Sequence, residues 1–583
     1  MRRAVTHTAT EWHCSLALQA AQYWLLIHPK LKNLILNSSF FTSKVTLLLY
    51  SSLLNNKQKK MNIRHILGIA LLAVSSVICA QSTSPSTRWH WEKGTIVVDT
   101  PPRPAGQASA LRLTTPKLET VRIGFAGLGS RGPWAVKRYC HIPGVQIVAL
   151  CDYEEERARD AQKYLREAGL PPADIYSGET GYVDMCKRKD IDLIYVATDW
   201  DHHFPVAKCA LENGKHTAIE VPSAMNLEQC WELIDLSEKN RLHCMMLENC
   251  CYDYYEMCVL NMAQHGLFGE IIRAEGAYIH TLNEANIWTG YWHNPDGSDP
   301  ENLHWRLKYN KENRGDVYAT HGLGPIAQAL NIHRGDRIKT LIAMDTNPFC
   351  GREGYKEVTG KECDSFRNGD HTTTLMRTEK GKVLEIQHNV MSPQPYNRMY
   401  KLTGMTGFCT KYPDPKIYIS KKSASNMGLA DMAGKISGHN FLPKEEYDAL
   451  MKQYYHPILK KFGDLGREFG HGGMDYTMDA RLVYCLQNGL PLDIDVYDLA
   501  EWCALAELGA LSMDNGCAAV SFPDFTRGGW NEQQGFRHAY ASPEEEAAAE
   551  KAARESTARQ KELAAKKKLW EKYDKAQSPK PRK

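Results

Sequence analysis

"VRIGFAGLGSRGPWAVKRY", residues 121–139, decides how the rest of the chain is read. An apolar run gives way to Gly127, Gly129 and Gly132, then to a stretch of helical composition with Pro133 near its first turn. The G-x-G-x-x-G spacing is weak by itself. Between a strand and a helix it describes a tight turn, with Ser130 and Arg131 in it, that lets a pyrophosphate approach the helix N-terminus, where free N–H groups favour an anion. The second strand, VQIVALCD, ends in Asp152 at about the distance expected of a ribose-binding acid. A carboxylate there accepts hydrogen bonds from the ribose hydroxyls and repels a 2′-phosphate, so the expected cofactor is NAD rather than NADP.

Outward from this turn the pattern repeats. IDLIYVAT, HTAIEV and LHCMMLEN read as further strands separated by helical segments. That series predicts a doubly wound parallel sheet, a Rossmann domain over residues 119–254. Ligands of such sheets sit beyond the carboxyl ends of the strands. The residues there are Trp200, Asp201, His202 and His203 in TDWDHH, Glu220 with Val221, and Asn249. Glu220 either orients the nicotinamide ribose or caps a neighbouring helix. After the helix around YYEMCVLNMAQHG, longer alternating strands (EIIRAEGAYIHTL, RIKTLIAMDT, HTTTLMRTEKGKVLEIQHNV) predict an α+β domain, residues 255–535, on a mostly antiparallel sheet covered on one face. The overall class is α/β.

Residues 81–118, rich in Ser, Thr and Pro, read as an exposed leader, and residues 536–583 as a charged helical tail. From Met61 the chain reads MNIRHILGIALLAVSSVICAQS: a basic start, an apolar run from Ile66 to Ile78, then small residues. This is the pattern of a secretory signal peptide over 61–80, cut after Ala80, and the run is short for a bilayer span. Residues 1–60 are then a mis-called N-terminal extension, and the mature chain is exported, periplasmic or secreted, with no stable membrane insertion. The net charge of +3 gives no case for nucleic acid. The 17 cysteines form no CxxC pair and show no metal-ligand spacing, so buried thiols are expected rather than a disulfide framework or a metal site.

The stretches GLGSRG, AIEVP, ENCCYDYYEMCVLNMAQHGLFGEI, RGDVYATHGLGPIAQ, GHGGMDY and PDFTRGGW cover most of residues 120–530. Together they resemble glycoside hydrolase family 109, the NAD-dependent α-N-acetylgalactosaminidases, within the glucose–fructose oxidoreductase and inositol dehydrogenase superfamily. The resemblance implies NAD contacts at Ser130, Arg131, Asp152, Trp200, His203, Glu220, Val221, Asn249 and Tyr318. It implies substrate contacts at Tyr278, Arg306, the Tyr318–Ala319–Thr320–His321 segment and a tyrosine of PYNRMY, Tyr396 in preference to Tyr400. WDHH departs from the WEWH that members often carry. A sugar dehydrogenase of this superfamily usually has a catalytic lysine between the glutamate and the proline of KHTAIEVPSAM (215–225), where this chain has Val221.

Most glycosidases work with two carboxylates, and NAD-dependent families are an exception. The resemblance implies transient oxidation at C3 of the sugar, loss of the C2 proton, elimination at C1, addition of water and return of the hydride. In YATH, Tyr318 and His321 are three residues apart and share a face if the stretch opens a helix. His321 exchanges protons near neutral pH, Tyr318 could be made more acidic by the nicotinamide's charge, and Arg306 is a forked donor for sugar oxygens. Which of Tyr318, His321 and Tyr278 takes the C2 proton stays open. So does whether His471 and Asp475 of GHGGMDY reach the site or merely follow a tight glycine turn. The aromatic run CYDYYEM reads as core and cofactor wall. The partner expected is a carbohydrate or glycoconjugate. The rival readings are a secreted NAD-dependent sugar dehydrogenase, opposed by Val221, and a non-catalytic sugar or cofactor sensor. If translation starts at Met61, mass analysis of the exported protein will find an N-terminus at Gln81 and no peptide from residues 1–60; recovery of such peptides would refute it.

Overall fold

The computed structural model describes residues 88–282, 304–426, 429, 432 and 434–547 of the chain. The N-terminal extension 1–60, the signal peptide 61–80 and most of the C-terminal helix lie outside the described residues.

The leader expected over 81–118 is not an exposed one where it is described. It forms two strands, β1 (Trp89–Glu92) and β2 (Thr95–Val98), with Ile96 and Val98 buried. Beyond them Ala110 and Leu113 are buried as well, and Arg103 donates from Nε to buried Glu238 at 2.9 Å. Four-residue strands in a proline-rich segment carry too little periodicity to be read alone. Their burial comes from pairing with a strand far along the chain.

Six strands then build the parallel sheet: β3 (Val121–Ala126), β4 (Val145–Asp152), β5 (Asp174–Ser177), β6 (Leu193–Val196), β7 (His216–Ile219) and β8 (Cys244–Met246). Their order is β5-β4-β3-β6-β7-β8, all neighbours parallel. β6 and β7 are buried throughout, as covered strands of a doubly wound sheet must be. The direction of winding reverses between β3 and β6, and that switch point is where a crevice opens.

The second sheet uses β9 (Ile271–Ile279), β10 (Ile338–Asp345), β11 (Thr372–Thr378), β12 (Val383–Asn389), β13 (Lys401–Gly404), β14 (Gly407–Thr410), β15 (Lys416–Ile419) and β16 (Ala519–Ser521). With β1 and β2 the order is β1-β2-β16-β10-β11-β12-β9-β13-β14-β15. Every pairing is antiparallel except β12 with β9 and β16 with β2. The helix Thr320–Ala329 packs on β9 and β12, and the helix Val496–Asp514 on β10. The other face leaves Ile342, Met344 and Leu375 exposed. The tail expected from residue 536 begins inside the fold: Phe536 and His538 are buried, and Arg481 donates to the Ala539 carbonyl at 2.5 Å.

One contact joins the two domains, and another sets strand against helix within the second. Arg138, on the helix after the glycine turn, donates to Asp479 at 2.7 Å, both side chains being buried. Burial pushes the Asp479 carboxyl up to about 7 although Arg138 opposes it. The closer constraint is steric. A Cβ on Gly276 of β9 would lie 2.2 Å from the Gly322 carbonyl oxygen, and one on Gly322 would lie 2.5 Å from the Ala277 nitrogen. Strand and helix therefore meet backbone to backbone. Gly322→Ala should force them apart and cost about 1–3 kcal/mol, as overpacking a core does. Chemical denaturation checks this, and an unchanged midpoint would show that the helix is free to shift.

Candidate active site

A cleft of about 1200 Å³ opens at the switch point and runs from the glycine turn to the second sheet. At one end, Gly127 takes φ +89, and a Cβ there would strike the Ala197 carbonyl carbon at 2.4 Å. A Cβ on Gly132 would sit 1.9 Å from the Gly127 oxygen, so this glycine closes the turn behind the cleft wall. Gly129 differs: its Cβ would meet only Arg157 Nη1, at 3.6 Å, and the residue faces the cleft. Ser130, N-cap of the helix Arg131–Tyr139, makes no side-chain cap, which leaves the first amides of that helix without that partner.

Asp152 braces the turn, accepting the Leu128 N–H at 2.5 Å and the Glu154 N–H at 3.0 Å. A carboxylate offers roughly four acceptor positions, so capacity remains for ribose hydroxyls. Glycine cradle, open helix terminus and carboxylate fit a dinucleotide.

The other cofactor residues take different places. Trp200, at the start of the helix Trp200–Glu212, lies in the wall and stacks on Tyr318 at 5.8 Å between centroids. Asp199 caps that helix and also holds His202 Nδ1 at 2.7 Å. Asp201 is exposed and outside the cleft wall, contrary to the expectation for it. His203 is in the wall, but both its ring nitrogens face backbone carbonyls, Pro222 at 2.8 Å and Thr198 at 3.0 Å. It braces the loops. Among the described residues Glu220 caps no helix; it accepts from the Tyr195 hydroxyl at 3.0 Å and lies 3.7 Å from Arg131 Nε. Val221 lines the cleft as a buried apolar surface.

His471 and Asp475 do reach the site. His471 is in the cleft wall, its Nδ1 2.8 Å from Asp475 Oδ2 and 3.4 Å from Arg131 Nη1. Asp475 also accepts from Asn249 Nδ2 at 2.6 Å. Burial works to raise the Asp475 carboxyl, yet His471, Arg131 and Arg138 hold it well below the usual range. The second domain thus grips the glycine-turn arginine and the cofactor-side asparagine with one carboxylate.

Beyond Val221 the wall becomes aromatic. Tyr278 comes from β9, Tyr318 from the turn just before the helix Thr320–Ala329 and His321 from its first turn; the three rings lie within 5.4 Å of one another by centroid. The Arg306 guanidinium stands over Tyr318 at 4.5 Å and over Trp200 at 5.2 Å. Ala319 and Thr320, expected as contacts, instead face a small internal cavity beside Trp502. Positions 318 and 321 share a face, which turns 319 and 320 away. Tyr396 lines the cleft, while Tyr400 is buried behind it with its hydroxyl on the Glu256 carbonyl at 3.3 Å.

Glu248 was not among the expected residues. Fully buried just after β8, it holds His321 Nδ1 at 2.7 and 2.9 Å, so that Nε2 faces the Tyr318 hydroxyl at 3.4 Å. Burial raises its carboxyl, but the charge and hydrogen bond of His321 bring it below the ordinary value. Its place at a strand's carboxyl end, beside Asn249, was the available signal. Burial drives the Tyr318 phenol well above its ordinary value, against the pull of Arg306. The acidic Tyr318 expected from sequence is therefore not a property of the protein alone; here it is a neutral phenol. Asp253, Arg398 and Lys411 also line the cleft, and nothing in the sequence pointed to them.

Residues 121–248 match the NAD-binding Rossmann fold of the oxidoreductase family, and residues 252–532 match the C-terminal domain of glycosyl hydrolase 109. The first domain is thus an NAD-binding domain. Glycosyl hydrolase family 109 protein 3 of Phocaeicola vulgatus is 65% identical over 513 residues, covering 87% of this chain and 92% of that protein. Glycosyl hydrolase family 109 protein 1 of Bacteroides thetaiotaomicron is 52% identical, covering 83% of this chain and all of that protein. Among solved structures, a levoglucosan dehydrogenase with NADH and L-sorbose shares the fold, with a TM-score of 0.51 and 16% identity over 70% of this chain and 100% of that one. With a cofactor turn in one domain, a Tyr–His–Glu cluster at the junction and these relatives along its length, the chain belongs to glycosyl hydrolase family 109.

Proposed function

We propose that the protein hydrolyses a terminal α-linked N-acetylgalactosaminide by an oxidation–elimination–hydration route with no net redox change. The observation that carries this reading is the Tyr318–His321–Glu248 array set beside an apolar Val221. A dehydrogenase needs one proton acceptor at the hydroxyl it oxidises. A hydrolase of this route needs proton transfer at neighbouring carbons and at the leaving oxygen.

When bound, NAD supplies reversible hydride acceptance at C3, which makes the C2 hydrogen acidic. His321 takes the C2 proton at Nε2. Its Nδ1–H is fixed on Glu248, which sets the tautomer and stabilises the imidazolium as the proton arrives. Tyr318, kept as a phenol by burial, is within 3.4 Å of that nitrogen and passes protons between it and a sugar hydroxyl. Tyr278, 3.5 Å from His280 Nδ1, hydrogen-bonds the departing oxygen. Arg306, spread across the aromatic rings, holds the acetamido carbonyl or a ring hydroxyl with its fork of donors. The aromatic wall keeps bulk water from the reacting carbons. The same reading takes the mature chain to be exported after a start at Met61, acting on carbohydrate or glycoconjugate outside the cytoplasm.

In D₂O, p-nitrophenyl α-N-acetylgalactosaminide should release phenol without net NADH, and the freed sugar should carry deuterium at C2. Steady NADH formation from free sugar with no phenol would make the protein a dehydrogenase instead. Glu248→Gln should keep NAD binding, followed by cofactor fluorescence, and lower kcat by about 10²–10⁴-fold. An unchanged kcat would remove Glu248 and His321 from the chemistry.

A further inference from the structure

One cleft residue of the second domain has no part in the route above. His471 lies in the wall with Gly129, Ser130 and Arg131 of the glycine turn, yet it belongs to the turn that opens the helix Met474–Asn488. Four residues running, Gly470 to Gly473, take positive φ: +87, +45, +65 and +94. No residue but glycine enters that region without strain, and glycine fills three of the four positions. At the fourth the chain holds an imidazole. The turn is braced from behind, where a Cβ on Gly473 would lie 2.9 Å from the Gly466 carbonyl carbon.

The ring is anchored by one nitrogen and open at the other. Nδ1 lies 2.8 Å from Asp475 Oδ2, closer than its 3.4 Å to Arg131 Nη1, so Nδ1–H is donated to the carboxylate. The Asp475 side chain is 2% exposed and the imidazole 51%, which turns the far edge of the ring away from the core and toward the cleft. Among the described residues no group hydrogen-bonds Nε2. Arg131 beside it is also uncommitted. Its guanidinium stands 3.7 Å from Glu220 and 3.6 Å from Asp475, near enough for attraction and too far for a hydrogen bond to either. Both side chains therefore reach the cleft with hydrogen-bonding positions unused. They do so at the start of the helix Arg131–Tyr139, where Ser130 makes no side-chain cap.

The sheet order says which half of a dinucleotide passes this point. Asp152, the acid placed for the adenosine ribose, ends β4 on one side of β3. Glu220 and Asn249 follow β7 and β8 on the other side, and it is with these that Arg131 and Asp475 make contact. We propose that His471 completes the dinucleotide site from the second domain, its Nε2–H donating to the nicotinamide-side phosphate next to the Arg131 guanidinium. Held between Asp475 and a phosphate, the ring binds as the imidazolium, with one N–H for each anion. The inference rests on the NAD-binding domain and is independent of the reaction the protein catalyses.

The test is displacement of bound etheno-NAD, read by fluorescence anisotropy, and it needs no turnover. The competitors are NAD, ADP-ribose, ADP and AMP, of which AMP alone lacks the second phosphate. One variant is His471→Gly, which suits the backbone. The other is His471→Asn, which tolerates the same φ and keeps an amide for Asp475 but has no atom at the Nε2 position. Both should weaken NAD, ADP-ribose and ADP about tenfold, the size of one charge-assisted hydrogen bond, and leave AMP unchanged. An equal loss for AMP would make His471 a brace of the fold and overturn the proposal. So would wild-type affinities in His471→Asn, which would reduce the residue to orienting Asp475. A loss for NAD and ADP-ribose but not for ADP would place the contact on the ribose and overturn the phosphate assignment.

Discussion

The active site depends on two glycines that leave no room for anything else. Where Gly276 of β9 crosses Gly322 of the helix Thr320–Ala329, the backbones touch. Two residues along the strand is Tyr278, and next to the helix glycine is His321. The close crossing brings these rings to 5.4 Å between centroids, and Tyr318 to 4.6 Å from Tyr278. A side chain at either glycine would open the array by a distance that matters, because a displacement of about 1 Å in reacting groups can cost about 10²-fold in rate.

A second constraint is electrostatic and runs between the domains. Asp475, buried in the second domain, gathers Asn249, Arg131 and His471 at the cofactor end. Arg131 in turn leans toward Glu220, whose other partner is Tyr195 in the parallel sheet. A charge this buried is tolerated only when its partners remain in place. The network therefore ties the glycine turn to the second domain while leaving the cleft open between them.

The lysine missing at Val221 makes sense against this background. Val221 lines the cleft as a buried apolar surface where that lysine would stand. The chain keeps the position apolar, and on the other wall it sets a histidine against a buried carboxylate. A neutral phenol and an anchored imidazole can exchange protons reversibly, which suits the proposed route with no net oxidation.

The sequence by itself determined whatever rests on local pattern. Strand–glycine–helix spacing identified the cofactor turn and Asp152, and alternation separated the parallel from the antiparallel sheet. The YATH spacing paired Tyr318 with His321, and both line the cleft, although the helix begins only at Thr320. Only the tertiary structure decided the rest. Glu248 became visible as the partner of His321 because residues far apart in the chain meet across the domain junction. Residues 88–98 joined a sheet because β16 offered them an edge. Asp201, Ala319 and Thr320 left the expected site for the opposite reason: neighbours in sequence point in different directions on a helix. The corner of Asp253, Arg398 and Lys411 has no signature in the chain at all, since its charges are gathered from three separate segments by the packing of a helix against a sheet.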